Sequence, residues 1–332
     1  MDKVRLGLIG CGGIMSGFHA KHLIEFDDIE VVAVADPIEE RRNAMAKLFG
    51  AKRIYKNHTE LYDHESAATL DAVYICIEPT AHTDTELRAI DLGLPFLVEK
   101  PMTLDENLAE TIVKKVEEKK LITAVGFQDR YLDVFNMVKD ELPKHKPGGL
   151  VYGAWVGGIP GVWWWQKKST CGGQLVEQNI HLLDGLRYLF GEPKSVWATA
   201  SQGIVTGREG YDTDDHSTAV IEFANNFTAT LVSACYLKQP EHGYPFCGVR
   251  IDLEDMFIEY RLRTSTTFST GTETHVYMRQ FDQGVTEDRT FIDAIKSGDG
   301  SKIRSPYSDA IKTLKLGFAA NKSMETGEKI IF

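Results

Sequence analysis

Val4-Arg-Leu-Gly-Leu-Ile9 runs directly into Gly10-Cys-Gly-Gly-Ile-Met15-Ser-Gly17, and this junction decides the fold of the first third of the chain. An apolar run, a glycine turn and then a helical pattern open a βαβ unit. Gly10 and Gly12 fit the first two positions of a GxGxxG pattern. The first permits a tight turn, and the second lets the backbone approach a pyrophosphate. The third glycine position is Met15, a departure that bears on helix-to-strand packing. Read alone, the turn also admits the lesser alternative of a glycine-rich βα connection without a ligand.

Outward from this junction the first ~125 residues keep alternating strand and helix signals. Strands are predicted at 4–9, 30–35, 72–77, 95–98 and 121–127, and helices at 14–25, 39–49, 82–92 and 104–118. Such alternation predicts a doubly wound, parallel α/β sheet covered by helices on both faces. From Gly149 the texture changes to short strands, at 152–157, 195–205, 216–223, 227–237, 246–253, 256–262, 265–269 and 274–278. One long helix, 174–190, interrupts them, and Asn225-Asn226 reads as a hairpin turn. This half is expected to be a mainly antiparallel α+β domain. Two late helices, 286–296 and 307–326, complete the chain. The expected divisions are 1–126, 127–306 and a closing segment 307–332 that returns to the first domain.

A net charge of −11 argues against sequence-independent nucleic-acid binding, which needs a basic surface. It leaves room for a small anionic cofactor held by backbone amides. No apolar run approaches the ~20 residues of a membrane span, so no membrane partner is expected. The first residues enter a strand without a signal peptide's apolar region. Five cysteines, scattered and never in a CxxC pair, suit buried thiols in a reducing cytoplasm.

The glycine turn assigns the cofactor site to Gly10, Gly12, Gly13, Ile14 and Met15, whose helix amides favour an anion. Asp36 ends the second strand about twenty residues later, where a carboxylate accepts ribose hydroxyls. It would repel a 2′-phosphate, so NAD is expected rather than NADP, although Arg41 and Arg42 lie close by. Asp36 also reads as a helix cap before Pro37, a role compatible with ligand binding.

Phe96-Leu-Val-Glu-Lys-Pro-Met102 ends a strand on Glu99-Lys100-Pro101 and delivers an ammonium group to the carboxyl edge of the sheet. Open α/β sheets place their ligands at that edge. Pro101 confines Lys100 to extended or turn geometry. A second constellation lies in Gly172-Gly-Gln-Leu-Val-Glu177-Gln-Asn-Ile-His181-Leu-Leu-Asp184. On one helix, Glu177, His181 and Asp184 would share a face. The bland readings are a structural histidine, an Asp184–Arg187 pair at i,i+3, and Lys100 as a surface cation. One histidine with no second one nearby makes a metal site an unfavoured reading.

Glu99-Lys100-Pro101, the glycine turn, Pro79-Thr-Ala-His82 and the GG…E…H..D stretch together resemble the Gfo/Idh/MocA family over nearly the whole chain. The resemblance implies an N-terminal Rossmann domain, a C-terminal open-faced, mainly antiparallel β-sheet domain and a nicotinamide cofactor. It implies hydride transfer at a sugar or cyclitol hydroxyl, with Lys100 as the family's EKP lysine and His181 as its catalytic histidine. Pro79, His82, Glu99 and Lys100 join the expected cofactor site. Glu177 stands where many members carry aspartate, and Asn179 replaces a frequent glycine.

The chemistry reads the same way from the residues. Oxidising a secondary alcohol requires removal of its proton while hydride leaves. His181 is the natural base near neutral pH, Glu177 or Asp184 would orient it, and Lys100 would hydrogen-bond the reacting oxygen. A proton relay between Lys100 and His181 is an equal alternative. Substrate candidates are these residues together with Gln128, Arg130, Tyr131, Trp163, Trp164, Trp165 and Lys168, and more weakly Lys167, His242 and Tyr244. In an extended segment three adjacent tryptophans alternate in direction, and at least one is expected at a pocket, an interface or the surface. The expected partners are a sugar-like small molecule and further copies of the chain, as a homodimer or homotetramer. Competing readings are a non-catalytic NAD-binding sensor and NAD-dependent glycoside cleavage through transient oxidation.

Overall fold

Six short strands carry the first compact unit: β1 (Val4–Ile9), β2 (Ile29–Ala35), β3 (Arg53–Tyr55), β4 (Ala72–Ile75), β5 (Phe96–Val98) and β6 (Thr123–Val125). In this computed structural model, which describes residues 3–238 and 246–332, they form one sheet in the order β3-β2-β1-β4-β5-β6. Every pairing is parallel. The order reverses between β1 and β4, which is the switch point where doubly wound sheets bind ligands. β4, β5 and β6 are buried at every position, as a strand covered on both faces must be.

Helices Glu39–Phe49, His58–His64, Thr85–Asp91 and Glu106–Lys119 connect the strands. Asp105 caps the last by accepting the Asn107 and Leu108 N–H groups. The helix after β1 is not uniform: Met15–His19 forms a π-helical turn before Ala20–Leu23 continues as α-helix. β3 and helix His58–His64 were not expected from the sequence. Arg53–Tyr55 is too short to show periodicity, and the helix rests on the Asn57 side chain accepting the Glu60 N–H.

The expected domain boundary at 306 is corrected. Asp282–Ile311 belongs to the first unit with Met1–Gln128, and the second comprises Asp129–Phe281 and Lys312–Phe332. Helix Gln283–Ser297 contributes Phe291, Ile292 and Ala294 to the core that holds Leu6, Leu8, Met15 and Tyr74. The closing helix Tyr307–Thr326 is shared, since Tyr307 N–H donates to Thr123 while Leu316 and Ala320 join the second core.

The second unit is a nine-stranded sheet built on β7 (Gly149–Val156), β8 (Pro193–Ser201), β9 (His216–Phe223), β10 (Phe227–Ala234), β11 (Gly248–Asp252), β12 (Phe257–Arg261), β13 (Ser265–Ser269), β14 (Thr274–Met278) and β15 (Ile330–Ile331). All pairs are antiparallel except β7 with β10. Burial alternates along β9 and β10, so one face packs inward. Leu182, Leu183 and Leu186 of helix Ile180–Phe190, Phe135 and Val138 of helix Asp133–Glu141, and Leu316 cover that face. The β9–β10 hairpin turns at Asn225-Asn226 as expected, with Asn226 at φ +65°.

Two expectations fail locally. The predicted helix 174–190 is two helices, Gln174–Glu177 and Ile180–Phe190, separated by Gln178-Asn179. Asn179 is fully buried, and its amide donates to the Ser233 hydroxyl of β10. Trp163–Gln166 is a 3-10 turn rather than an extended segment, so the tryptophans do not alternate.

Candidate functional site

At the carboxyl edge of the first sheet, four strands end on residues with chemical potential: β1 on the glycine turn, β2 on Asp36, β4 ahead of Pro79 and β5 on Glu99-Lys100. Parallel strands bring these ends to one edge. Gly10 has φ +84°, and a Cβ there would lie 2.2 Å from the Cys76 carbonyl oxygen, so the turn passes against β4 only with glycine. Gly12 and Gly13 differ. An added Cβ would meet nothing nearer than an Arg41 guanidinium nitrogen at 3.8 Å at Gly12, and nothing within 4 Å at Gly13. Their outer face is open, a cradle of backbone that fits a pyrophosphate. Ile14 is exposed beside it, while Met15 is fully buried and fills the space of the third glycine.

Asp36 is buried. One carboxylate oxygen accepts the Cys11 N–H at 2.8 Å and the other the Ile38 N–H at 2.8 Å. It therefore ties the glycine turn to the start of helix Glu39–Phe49, and each oxygen keeps a lone pair for a ribose hydroxyl. Arg42 donates to the Asp36 and Pro37 carbonyls. These donors and acceptors fit NAD.

Pro79 opens a 3-10 turn, Pro79–Ala81. The His82 side chain is wholly buried, with Nδ1 2.5 Å from Glu86 Oε1. Its ring thus braces the turn through Nδ1 against Glu86. Glu99 is buried as well. Its Oε2 accepts the Lys100 N–H at 3.1 Å, and its Oε1 lies 3.2 Å from His19 Nε2. Lys100 is half-buried and precedes a cis peptide bond to Pro101. Gln128, also buried, accepts a hydrogen bond from Gln283 at 2.8 Å.

The second unit gathers its own constellation. His181 is buried and its ring stacks on Trp155 of β7, with centroids 6.0 Å apart and planes at 24°. Glu177 accepts the Trp165 indole N–H at 2.8 Å. Asp184 is clamped by Arg130 through two bonds of 2.7 and 2.6 Å and by the Thr313 hydroxyl at 2.8 Å. Arg187 pairs with Glu192 at 2.7 Å and donates to the same Thr313 hydroxyl that bonds Asp184. The break at Gln178-Asn179 also removes the single-helix register from which Glu177 and His181 were expected to share a face.

The tryptophans divide by depth: Trp163 is 66% exposed, Trp164 is intermediate and Trp165 is fully buried. Trp165 is therefore a partner of Glu177 and not an open stacking surface. Lys168 lies 3.8 Å from Asp214. Tyr131 and Arg130 are buried, the latter over the Tyr188 ring. His242 and Tyr244 lie outside the described residues. Among the described residues no three His, Cys, Asp or Glu side chains are grouped to hold a metal ion. No helix there is long and apolar enough to cross a membrane.

Sequence reasoning missed His19, Trp155 and the Arg263–Asp129 ion pair of 2.6 Å. His19 carried no signal beyond its place in an amphipathic pattern. Trp155 becomes significant only when β7 is laid beside His181.

A doubly wound sheet with an open glycine turn and a buried carboxylate at the end of β2 is the arrangement of a dinucleotide-binding domain. A model described as an oxidoreductase family with an NAD-binding Rossmann fold matches residues 4–127, and the GFO/IDH/MocA C-terminal domain matches 150–253. The chain belongs to the Gfo/Idh/MocA family of NAD-binding oxidoreductases. It is 25% identical to a myo-inositol 2-dehydrogenase of Thermotoga maritima, over 97% of this chain and 96% of that one. It is 26% identical to a D-glucoside 3-dehydrogenase of Escherichia coli, over 74% and 75% respectively. A levoglucosan dehydrogenase solved with NADH and levoglucosan shares the fold at a TM-score of 0.85, with 17% identity over 99% of both chains.

Proposed function

We propose that this enzyme transfers hydride between NAD and a secondary hydroxyl or carbonyl carbon of a sugar, a cyclitol or a derivative. The observation that carries this reading is the gathering of the Gly10–Gly13 cradle, Asp36 and Lys100 at one carboxyl edge. The inositol and glucoside substrates named for the relatives support the substrate class.

NAD, when bound, supplies the hydride acceptor. The Gly12 and Gly13 backbone leaves room for its pyrophosphate, and Asp36 accepts from its ribose. Lys100 hydrogen-bonds the reacting oxygen and favours its alkoxide character. His181 removes the hydroxyl proton as the carbon gives up its hydride, and Glu177, oriented by Trp165, stabilises the resulting imidazolium. In the reverse direction the same proton returns to the carbonyl oxygen.

Lys100→Met and His181→Ala are each expected to lower kcat at least a hundredfold, within the range for loss of general acid–base or oxyanion groups. NAD affinity, followed by fluorescence titration, should stay within about threefold. Near-normal turnover of both variants on an authentic substrate overturns the assignment.

Two coarser features complete the reading. The outer face of the second sheet carries a cross-strand row, Trp197, Val220, Thr230 and Tyr152, in which Trp197 and Tyr152 are exposed. This supports assembly as a homodimer or homotetramer. The five cysteines are free thiols, four of them buried, which supports a cytoplasmic location; an intramolecular disulfide in protein taken directly from cells would contradict it.

A further inference from the structure

His19 sits in the π-helical turn after the glycine loop, and its ring is completely buried. Nδ1 lies 2.7 Å from Asp288 Oδ1, and Nε2 lies 3.2 Å from Glu99 Oε1. Ionised carboxylates accept and do not donate, so a ring bonded to two of them carries both protons. Asp288 also takes the ring of His22, whose Nδ1 is 2.8 Å from Oδ2. Tyr74 of β4 and Cys76, just beyond its end, face the same ring, with Tyr74 edge-on at 5.4 Å. Burial works against the charged His19, but attraction to and hydrogen bonding with Asp288 and Cys76 together outweigh it and hold the imidazole well above its ordinary value. Burial likewise disfavours ionised Asp288, and His19 and His22 overcome that and keep its carboxyl below its ordinary value.

Two glycines admit this cluster. A Cβ at Gly126 would fall 2.4 Å from Glu99 Oε1, and one at Gly284 would fall 2.3 Å from both His22 Cε1 and Phe18 Cζ. The second of these lets helix Gln283–Ser297 close on the π-helical turn and present Asp288. Four segments remote in sequence therefore meet around the glutamate that precedes Lys100. That glutamate's other oxygen accepts the Lys100 N–H, so whatever fixes the Glu99 carboxylate also fixes the backbone from which Lys100 projects.

We propose that His19, held between Asp288 and Glu99, is a positioning residue for the reaction, clamping Glu99 and through it the Lys100 turn. The proposal rests on the reading above that Lys100 handles the reacting oxygen. Without His19 two buried carboxylates lose their shared counter-charge, and Glu99 has no reason to hold its orientation.

The test combines a measurement on the native enzyme with two variants. Nitrogen-15 NMR of histidine-labelled protein should show both His19 ring nitrogens protonated at neutral pH, where an ordinary imidazole is mostly neutral; a neutral ring at neutral pH overturns the clamp even if no variant folds. His19→Gln and Asp288→Asn should each lower kcat about tenfold or more, with KM and NAD affinity within about threefold. Competitive acylation read by mass spectrometry should show the Lys100 acylation rate changed at least about twofold in His19→Gln, because the turn that carries it is no longer held, while that of Lys167 is unchanged. Folded variants with native kcat and native Lys100 reactivity overturn the proposal. If Lys100→Met itself retains turnover, the reading of Lys100 fails, whereas an unmoved Lys100 reactivity profile removes the clamp alone.

Discussion

At the residue scale, each group near the chemistry depends on a partner distant in sequence. Asp36 is placed by the Cys11 and Ile38 amides, Glu177 by Trp165, Asp184 by Arg130 and Thr313, and Glu99 by His19. Removing one partner of a buried charged bond costs more than the bond contributes, because the other is left unsatisfied. The same logic governs the acid limit of stability. The Asp28 carboxyl, bonded to Arg289 at 2.8 Å and Lys296 at 2.6 Å, is lowered from 3.8 to about 2, chiefly by the Arg289 bond. Its folded value lies below its unfolded one, so its contribution is present above the unfolded value and is lost as pH falls through the folded one. Arg289→Ala should therefore weaken urea resistance at neutral pH and make it fall less steeply between about pH 4 and pH 2. An unchanged slope across that window would dismiss the pair as a contributor.

At the element scale, periodicity located most helices and strands but not their interruptions. Helix Glu106–Lys119, with its own cap, and strand β9, with its own alternation, fall within a residue or two of expectation, as do β13 and β14. The break at Gln178-Asn179 was illegible because its cause lies in β10, where Ser233 receives the Asn179 amide. The tryptophan turn was misread for a related reason: burial of Trp165 beside Glu177 fixes its curvature. The Asn225-Asn226 hairpin was legible because its conformation is local. Asn226 holds φ +65°, a region costly for β-branched residues. Asn226→Val should cost about 1–2 kcal/mol in urea unfolding, and Asn226→Gly should be neutral or slightly stabilising. Equal stability of the valine and glycine variants would refute this account.

At the scale of the whole molecule, the chain leaves its first unit at Gln128, returns at Asp282 and leaves again within the closing helix. This double passage lets Asp288 reach His19, 269 positions away. The outer face of the second sheet is where further copies are expected. Light scattering should report a dimer or tetramer for the native chain, and Tyr152→Glu with Trp197→Glu should dissociate it without loss of NAD binding by the first unit. A native chain that is monomeric at micromolar concentration excludes the assembly.

The sequence by itself determined the doubly wound sheet, the glycine turn with Asp36, the Lys100 strand end and the antiparallel second half. These follow from periodicity, turn chemistry and short-range spacing, all written within a few tens of residues. The tertiary structure alone decided that Asp282–Ile311 rejoins the first unit and that the His181 helix breaks. It alone decided that a histidine with no sequence signal stands between two carboxylates behind Lys100. Those outcomes depend on which buried charges and hydroxyls find partners across long sequence separations, and no local pattern encodes that.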